Sequence, residues 1–229
     1  MTPADARPMK VVVLLGGPGS GKGTQAPIIA KHLGVPHVAT GDLFRAAVRD
    51  GSPVGLEARH YMERGQLVPD DITIAMLLDR LSADDAADGV LLDGFPRNRA
   101  QAEALDVALA ERGAAVASTL DIEVPAEELV RRLSSRWVCS ESGHVYNALT
   151  NPPREAGRCD LDGSELIQRE DDQPDTVRAR MALTLSSLAD VAEHYRTLGV
   201  LRAVDGQQSI DQVTQDLLAE LAIGDAPAG

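Results

Sequence analysis

The sequence predicts an α/β fold in which helices flank a parallel sheet of five strands. Short runs of branched apolar residues alternate along the chain with longer segments of helical spacing, which is typical of strands buried on both faces. A glycine-rich turn follows the first apolar run, and short polar stretches follow the next two. Because ligands of such sheets lie at the carboxyl ends of the strands, we expect these three turns to form one site.

The composition favours a single domain, with or without insertions, that is built around an aliphatic core. The 229 residues are 44% hydrophobic but only 3% aromatic. A net charge of −13 without any basic block argues against nucleic-acid binding. Two cysteines are too few for a disulfide framework. No signal-peptide or membrane-spanning pattern is evident, so we expect a cytoplasmic protein without membrane contact.

The first apolar run ends in a turn that predicts a phosphate-binding loop. Val11–Leu15 is followed by the pattern Gly-x4-Gly-Lys, which ends at Lys22. Glycines let backbone N–H groups point at an anion, and the next helix presents its positive end. Lys22 adds a charge that can follow a transferring phosphate. The usual motif continues with Ser or Thr, whereas Gly23 stands there and Thr24 comes one residue later.

The elements of the first half follow from apolar spacing and from breaking residues. The first helix is predicted over 21–33 with Ile28, Ile29 and Leu33 facing inward, and Pro27 should bend it or remove a hydrogen bond. The following elements are a strand at 35–38, a helix containing 43–48, a helix at 54–64, a helix at 72–81 capped by Asp70, and a strand at 89–94.

The second half continues the alternation, apart from one polar interruption. Its predicted elements are a helix at 99–112, a strand at 118–124, a helix at 126–134, a long helix at 174–198, a strand at 200–204 and a final helix from the Ser209 cap to Leu221. Between 135 and 172 the chain is polar and rich in Gly, Pro and Asp, with short β-like pieces at 137–138 and 144–146.

Several motifs in this order resemble adenylate kinases with an extended lid. They are Gly16–Gln25, Thr40–Arg45, Leu92–Arg97, Gln101, and Arg169–Asp172 with Arg178 and Arg180. The resemblance covers about 10–221 and implies reversible, Mg²⁺-dependent phosphoryl transfer from ATP to AMP, giving two ADP, by a monomer. It implies a core at 9–38, 69–134 and 173–221, an AMP-binding segment at 39–68 and a lid at 135–172. The ends at 1–8 and 222–229 are expected to be tails.

The resemblance assigns one set of residues to ATP. These are Gly19, Ser20, Gly21, Lys22, Gly23, Thr24, Arg132, Arg136, Val145, Tyr146, Gly206 and Gln208. Arg132 and Arg136 are four residues apart, so we expect them on one helical face. Asp93 ends a buried strand, where an unpaired carboxylate would be costly, and we expect it to hold Mg²⁺ through water. The alternative for Asp93 is a helix cap or turn residue.

A second set is assigned to AMP by the same resemblance. It comprises Thr40, Gly41, Arg45, Gln66, Leu67, Val68, Gly94, Phe95, Pro96, Arg97, Gln101, Arg169 and Arg180. The amide of Gln101 suits an adenine edge. The expected catalytic groups are Lys22, Arg97, Arg132, Arg136, Arg169 and Arg180. Their charges would align two anionic substrates, and no general base is needed because the attacking AMP oxygen is already anionic.

Two Cys-containing pairs in the expected lid have the spacing of a metal knuckle. They are Cys139 with Ser142, and Cys159 with Asp162. Some adenylate kinases hold structural Zn²⁺ in the lid, and others use hydrogen-bonding residues at the same positions. Neutral Ser is a poor zinc ligand, which favours a metal-free knuckle and leaves zinc as the alternative.

Three other functions are compatible with parts of the sequence. A GTP-dependent AMP kinase or a pyrimidine monophosphate kinase would keep the same fold, although the long lid argues against the latter. A nucleotide-hydrolysing switch or motor would need a Glu or Gln acting on water, and the sequence offers no clear candidate.

Overall fold

A computed structural model describes residues 9–64, 66–168 and 174–224, without the side chains at 174–176, 178–180, 182, 183 and 224. Its strands are β1 (Lys10–Leu15), β2 (His37–Ala39), β3 (Gly89–Asp93), β4 (Ala115–Glu123), β5 (Arg136–Cys139), β6 (Val145–Asn147), β7 (Leu166–Ile167) and β8 (Leu201–Asp205). Five of them form a parallel sheet in the order β2-β3-β1-β4-β8, and β6-β5-β7 form a small antiparallel sheet. The predicted fold class is therefore confirmed.

Helices cover both faces of the larger sheet. The helices of the chain are α1 (Lys22–Leu33), α2 (Thr40–Arg49), α3 (Pro53–Met62), α4 (Asp70–Leu81), α5 (Arg99–Ala110), α6 (Ala126–Ser134), α7 (Pro174–Thr197) and α8 (Ile210–Gly224), with a short 3₁₀ turn at Asp84–Ala86. Among the described helices, none is both long and apolar enough to cross a bilayer.

Strand β1 forms the centre of the core because it is paired on both edges and covered on both faces. Val11, Val12 and Val13 have no solvent exposure. Since side chains alternate along a strand, Val11 and Val13 pack with residues of α4, α5 and α7, while Val12 packs with residues of α1 and α8. This burial explains why the sequence shows a continuous apolar run rather than an alternating one.

The inward face of α1 differs from the predicted one. Ile29 is fully buried as expected, but Ile28 is 41% exposed. Gln25 takes an inward position instead, because α8 satisfies its amide: Nε2 donates to the Ile210 carbonyl at 3.0 Å, and Oε1 accepts from Thr214 at 2.7 Å. The prediction for Ile28 was wrong because apolar spacing does not show which polar residue gains a tertiary partner.

Two local predictions about helix ends were also wrong. Asp70 is the first residue of α4 and not its cap, and its carboxylate accepts hydrogen bonds from Asn98 at 3.0 Å and Gln101 at 2.6 Å. Arg136 does not share a helical face with Arg132, because α6 ends at Ser134 and Arg136 begins β5. The Asp70 difference arises from partners at the start of α5, and the Arg136 difference from the pairing of β5 with β6.

The segment between α6 and α7 carries the small sheet. The predicted β-like pieces correspond to β5 and β6, whereas β7 was missed because its two residues are too short to give a pattern. A small buried cluster holds the segment together and consists of Cys139, Tyr146, Cys159 and Leu166.

The close crossing of α2 and α3 leaves no space for a side chain at Gly55. Gly55 is buried, and a Cβ atom placed there would lie 2.0 Å from the Ala47 carbonyl oxygen. Backbone cannot move aside as a side chain can, so Gly55→Ala should lower the free energy of unfolding by about 2 kcal/mol despite its better helix propensity. Urea unfolding measures the change. Glu57→Ala, at an exposed position of α3, is the control and should stay within about 0.5 kcal/mol of the parent.

Candidate functional site

The loop after β1 has the conformation of an anion-binding turn. Gly16, Gly19 and Gly21 have φ angles of 135°, 85° and 106°, which strongly favour glycine. The Lys22 ammonium donates to the carbonyls of Gly16 at 2.6 Å and Gly17 at 3.0 Å, so it lies across the loop. No acidic side chain occupies the first turn of α1, which leaves the positive end of the helix dipole uncompensated there.

A cavity of about 960 Å³ opens beside this loop at the carboxyl ends of the central strands. Every residue that the resemblance assigned to ATP lines it: Gly19, Ser20, Gly21, Lys22, Gly23, Thr24, Arg132, Arg136, Val145, Tyr146, Gly206 and Gln208. Asp93, Gly94 and Pro96 line the same cavity from the end of β3. Its volume is in the range of cavities that hold nucleotide-sized ligands.

A smaller pocket of about 60 Å³ adjoins the cavity. The predicted AMP-binding residues that line it are Thr40, Gly41, Arg45, Gln66, Leu67, Val68, Arg97 and Gln101. Gly41, Arg45 and Arg97 line both spaces, so two guanidinium groups lie where the pocket meets the cavity. Phe95 lines neither space, because its side chain is 1% exposed and packs in the core.

Hydrogen bonds to one carbonyl tie the pocket to β3. The Gly94 carbonyl accepts from Thr40 Oγ1 at 2.9 Å and from Arg97 Nε at 2.7 Å. Gly94 itself has a φ of 74°, which glycine adopts without strain. The guanidinium of Arg45 donates to Asp42 at 2.5 Å. The start of α2 and the end of β3 are thus held together, and both arginines are oriented by named partners.

The amide of Gln101 is already engaged by protein groups. Its Oε1 accepts from the Arg97 backbone N–H at 2.8 Å, and its Nε2 donates to Asp70 at 2.6 Å. An amide has two N–H groups and two lone pairs, so each end retains capacity for one further bond. The Asp70 contact orients the amide, and it was not predicted because Asp70 was interpreted as a helix cap.

Asp93 is a largely buried carboxylate surrounded by positive groups. His37 Nε2 lies 3.4 Å from its Oδ2. Burial acts to raise the pKa of Asp93, but the His37 hydrogen bond and the charges of Lys22, His37 and Arg97 outweigh it and hold that pKa below its ordinary value. The carboxylate therefore stays ionised at neutral pH, as a cation ligand must.

Four side chains of the small-sheet segment form a cluster of possible metal-binding groups. Ligand atoms of Cys139, His144, Cys159 and Asp162 all lie within 4.8 Å of one another. The Ser142 hydroxyl lies among them, 3.1 Å from Cys139 Sγ and 2.8 Å from His144 Nδ1, and it also bonds Asp162. That hydroxyl, the Ser164 N–H and the Cys159 thiol hold the pKa of Asp162 well below its usual range. His144 was not among the predicted knuckle residues, because it lies two residues beyond the expected spacing.

Some predicted residues lie outside the part of the chain that the structure describes. Arg169, Asp171 and Asp172 fall outside the described residues, and the side chains of Arg178 and Arg180 do so as well. Conversely, several cavity-lining residues had not been predicted: Glu128, Arg131, Asn147, Thr150 and Gln207. The spacing of Glu128 from Arg131 and Arg132, three and four residues, was an available signal for an ion pair.

Comparisons with known proteins agree on one family. The adenylate kinase family model matches residues 14–200. The adenylate kinase of Lysinibacillus sphaericus is 48% identical over 210 residues, covering 92% of this chain and 97% of that protein. The adenylate kinases of Staphylococcus epidermidis and Staphylococcus aureus are 45% and 44% identical over 207 residues, covering 90% of this chain and 96% of each protein.

A further carboxyl lies behind the loop, in β4. Asp121 pairs in register with Leu15, the last residue of β1. Burial and the charge of Glu123 raise the pKa of Asp121 to about 6, against the opposing charges of Lys22 and Arg196. Because the folded-state pKa exceeds the unfolded one, the folded protein binds more protons between about pH 4 and 6. Ionised Asp121 therefore destabilises the fold as the pH rises through this window.

Asp121→Asn should consequently stabilise the protein by about 2 kcal/mol at pH 7.5 and hardly at all at pH 4. Urea unfolding at the two pH values measures the difference. Asp88→Asn, at an exposed position, is the control and should stay within about 0.5 kcal/mol of the parent. An equal effect of Asp121→Asn at both pH values would contradict the raised pKa.

Proposed function

The chain belongs to the adenylate kinase family and is an ATP:AMP phosphotransferase, and we propose that the transfer takes place where its two cavities meet. The observation that carries this proposal is the sharing of Gly41, Arg45 and Arg97 between the larger cavity and the smaller pocket. Two substrates bound in these spaces would meet with their phosphates at the shared arginines.

ATP occupies the larger cavity in this proposal. The glycine loop and Lys22 would bind its phosphates, since backbone N–H groups and an ammonium ion complement an oxyanion. Arg132 and Arg136 line the same cavity from α6 and β5, and Gly206 and Gln208 line it from the turn after β8. Val145 and Tyr146 come from the small sheet, so closure of that segment would cover the nucleotide and exclude water.

AMP occupies the smaller pocket. Its walls come from Thr40, Gln66, Leu67 and Val68, and Gln101 offers an amide to the base. Gly94 and Pro96 would contribute from the cavity side, and Phe95 could contribute only through its backbone because its side chain is in the core. The pocket is small, which suggests that the segment 39–68 moves when AMP enters.

The chemistry follows from charge. An AMP phosphate oxygen is already anionic, so the transfer needs alignment and charge neutralisation rather than a general base. Lys22, Arg97, Arg132 and Arg136 line the cavity and would supply that charge. We propose the same role for Arg169 and Arg180 on the family resemblance alone.

Magnesium accompanies ATP in this family, and Asp93 is the residue that we propose to hold it. The carboxylate lines the cavity and remains ionised. Mg²⁺ keeps several of its waters, so a carboxylate bound through water fits a single acidic residue. When bound, the ion would offset phosphate charge during transfer.

The remaining sequence-based assignments stay proposals. They are the core at 9–38, 69–134 and 173–221, the AMP-binding segment at 39–68, the lid at 135–172, the tails at 1–8 and 222–229, a monomeric state and a cytoplasmic location. The separate small sheet and its own buried cluster support a lid that moves as a unit.

Loss of Lys22 or Arg97 should lower the rate of transfer by orders of magnitude while the fold stays intact. The assay measures ADP formed from ATP with and without AMP, CMP, UMP or GMP for the parent, Lys22→Met and Arg97→Ala. Strong dependence on AMP supports the proposal. ATP consumption without any acceptor would favour a hydrolytic switch, and preference for CMP or UMP would indicate a pyrimidine monophosphate kinase.

Matched controls exist for both substitutions. Arg99→Ala removes an exposed arginine two residues after Arg97, which pairs with Glu103 on the surface of α5. Lys31→Met removes an exposed lysine from α1. Both controls should keep the parent rate, and near-normal turnover of Lys22→Met or Arg97→Ala would refute the assignment.

We also propose that hydrogen bonds of Ser142 close the lid knuckle without metal. Its hydroxyl bonds residues on both sides of the cluster, which supports this arrangement. The donor set of Cys139, His144, Cys159 and Asp162 nevertheless fits Zn²⁺, which takes four S, N or O ligands. The two possibilities differ in their dependence on Ser142, since zinc would not need the hydroxyl.

For a metal-free knuckle, Ser142→Ala should lower the thermal midpoint by a few degrees, because Cys139, His144 and Asp162 each lose a hydrogen-bond partner. Metal analysis of the purified protein should find far less than one zinc per chain, and a chelator should leave the midpoint unchanged. The cluster would be a zinc site if the protein held one zinc per chain, Ser142→Ala left the thermal midpoint unchanged and His144→Ala lowered it.

A further inference from the structure

Glu128 lies at the wall of the larger cavity and contacts two arginines. Its Oε1 accepts from Arg132 Nε at 2.8 Å and from Arg131 Nη2 at 2.8 Å, and its Oε2 accepts from Arg131 Nε at 2.7 Å. The carboxylate and the Arg132 side chain are only 21% and 14% exposed, whereas Arg131 is 54% exposed. The bond to Arg132 is therefore the more shielded of the two pairs.

Arg132 is fixed at three points, each from a different part of the chain. Glu128 of its own helix holds Nε, and the Gly206 carbonyl after β8 accepts from Nη1 at 2.9 Å. Asn147 of β6 donates to the Arg132 backbone carbonyl at 2.8 Å. A guanidinium has five N–H donors, so the contacts with Glu128 and Gly206 orient the group and leave donors for an anion, while Asn147 fixes the backbone from which it extends.

We propose that Glu128 is a positioning residue that holds the Arg132 guanidinium in place for ATP, an inference that rests on the proposed function of the larger cavity as the ATP site. A long arginine side chain loses rotational freedom when it binds phosphate. Glu128 imposes that order before ATP arrives, so less entropy is lost on binding.

The electrostatics support a lasting contact between Glu128 and Arg132, which we call the Glu128–Arg132 clamp. Hydrogen bonds from Arg131 and then Arg132 lower the pKa of Glu128 to about 2, so the carboxylate is ionised throughout the neutral range. Glu128 pairs with Arg131 as well as with Arg132, so the three side chains together carry a net positive charge. An approaching triphosphate therefore meets attraction from the group and not repulsion from the carboxylate.

Steady-state kinetics of the full chain test the proposal, with ATP varied at saturating AMP and AMP varied at saturating ATP. Glu128→Ala should raise KM for ATP about fivefold, because a partly shielded charge-assisted bond is lost. KM for AMP should not change, since Glu128 does not line the AMP pocket. Glu128→Gln keeps one oxygen acceptor and should show a smaller rise.

The control is Glu127→Ala, which removes an exposed carboxylate from the same first turn of α6 and so the same interaction with the helix dipole. It should leave both KM values unchanged. In the Arg132→Ala background, Glu128→Ala should have no further effect, because a positioning residue acts only through the group that it positions.

The outcomes separate the inference from the proposed function. If Arg132→Ala raises KM for ATP but Glu128→Ala and Glu128→Gln leave it unchanged or lower it, the clamp is refuted while the ATP site stands. If Arg132→Ala itself has no effect on KM for ATP, the placement of Arg132 at ATP fails and the clamp fails with it. An equal rise in both KM values for Glu128→Ala would indicate a general structural role and would also refute the clamp.

Discussion

The burial of β1 is the constraint on which the rest of the molecule depends. Val11, Val12 and Val13 are fully enclosed by neighbouring strands and by helices on both faces. The chain must therefore leave the sheet at Gly16, and the left-handed glycines after it shape the loop across which Lys22 lies. The parallel arrangement places the end of β3 next to the same loop, which brings Asp93 to the cavity.

The site concentrates positive charge in a protein of net charge −13. Its arginines are paired locally before any substrate binds: Arg45 with Asp42, and Arg132 with Glu128. Such pairing limits repulsion among cations gathered around one cavity, and it orients groups that would otherwise sample many rotamers. The two pairs differ in shielding, since the Asp42 side chain is 66% exposed and that of Glu128 only 21%. A phosphate can more easily displace the exposed carboxylate.

The small-sheet segment is attached to the core through the end of α6. Asn147 donates to the Arg132 carbonyl at 2.8 Å, and Gln168 donates to the Ser134 carbonyl at 3.1 Å. These carbonyls belong to the last turn of α6, and that of Arg132 also accepts from the Ser135 N–H at 3.2 Å. Two side-chain amides of the segment thus bond the helix that carries Arg132. Movement of the small-sheet segment would therefore shift Arg132, a residue of the proposed ATP site.

Local signals in the sequence were enough for the fold class and the phosphate-binding loop, because apolar period and glycine spacing reflect constraints within a few residues. The resemblance to adenylate kinases supplied most of the other predicted cavity-lining residues. Local signals failed for Gln25 and Asp70, whose partners are distant in sequence. Gln25 is buried because α8 satisfies its amide, and Asp70 binds Gln101 of α5 instead of capping its own helix. The place of His144 in the knuckle likewise depends on the fold, because its Nδ1 lies 3.3 Å from Sγ of Cys159, fifteen residues along the chain. Hydrogen bonds between distant segments leave no periodic trace in a sequence, so only the tertiary structure decided them.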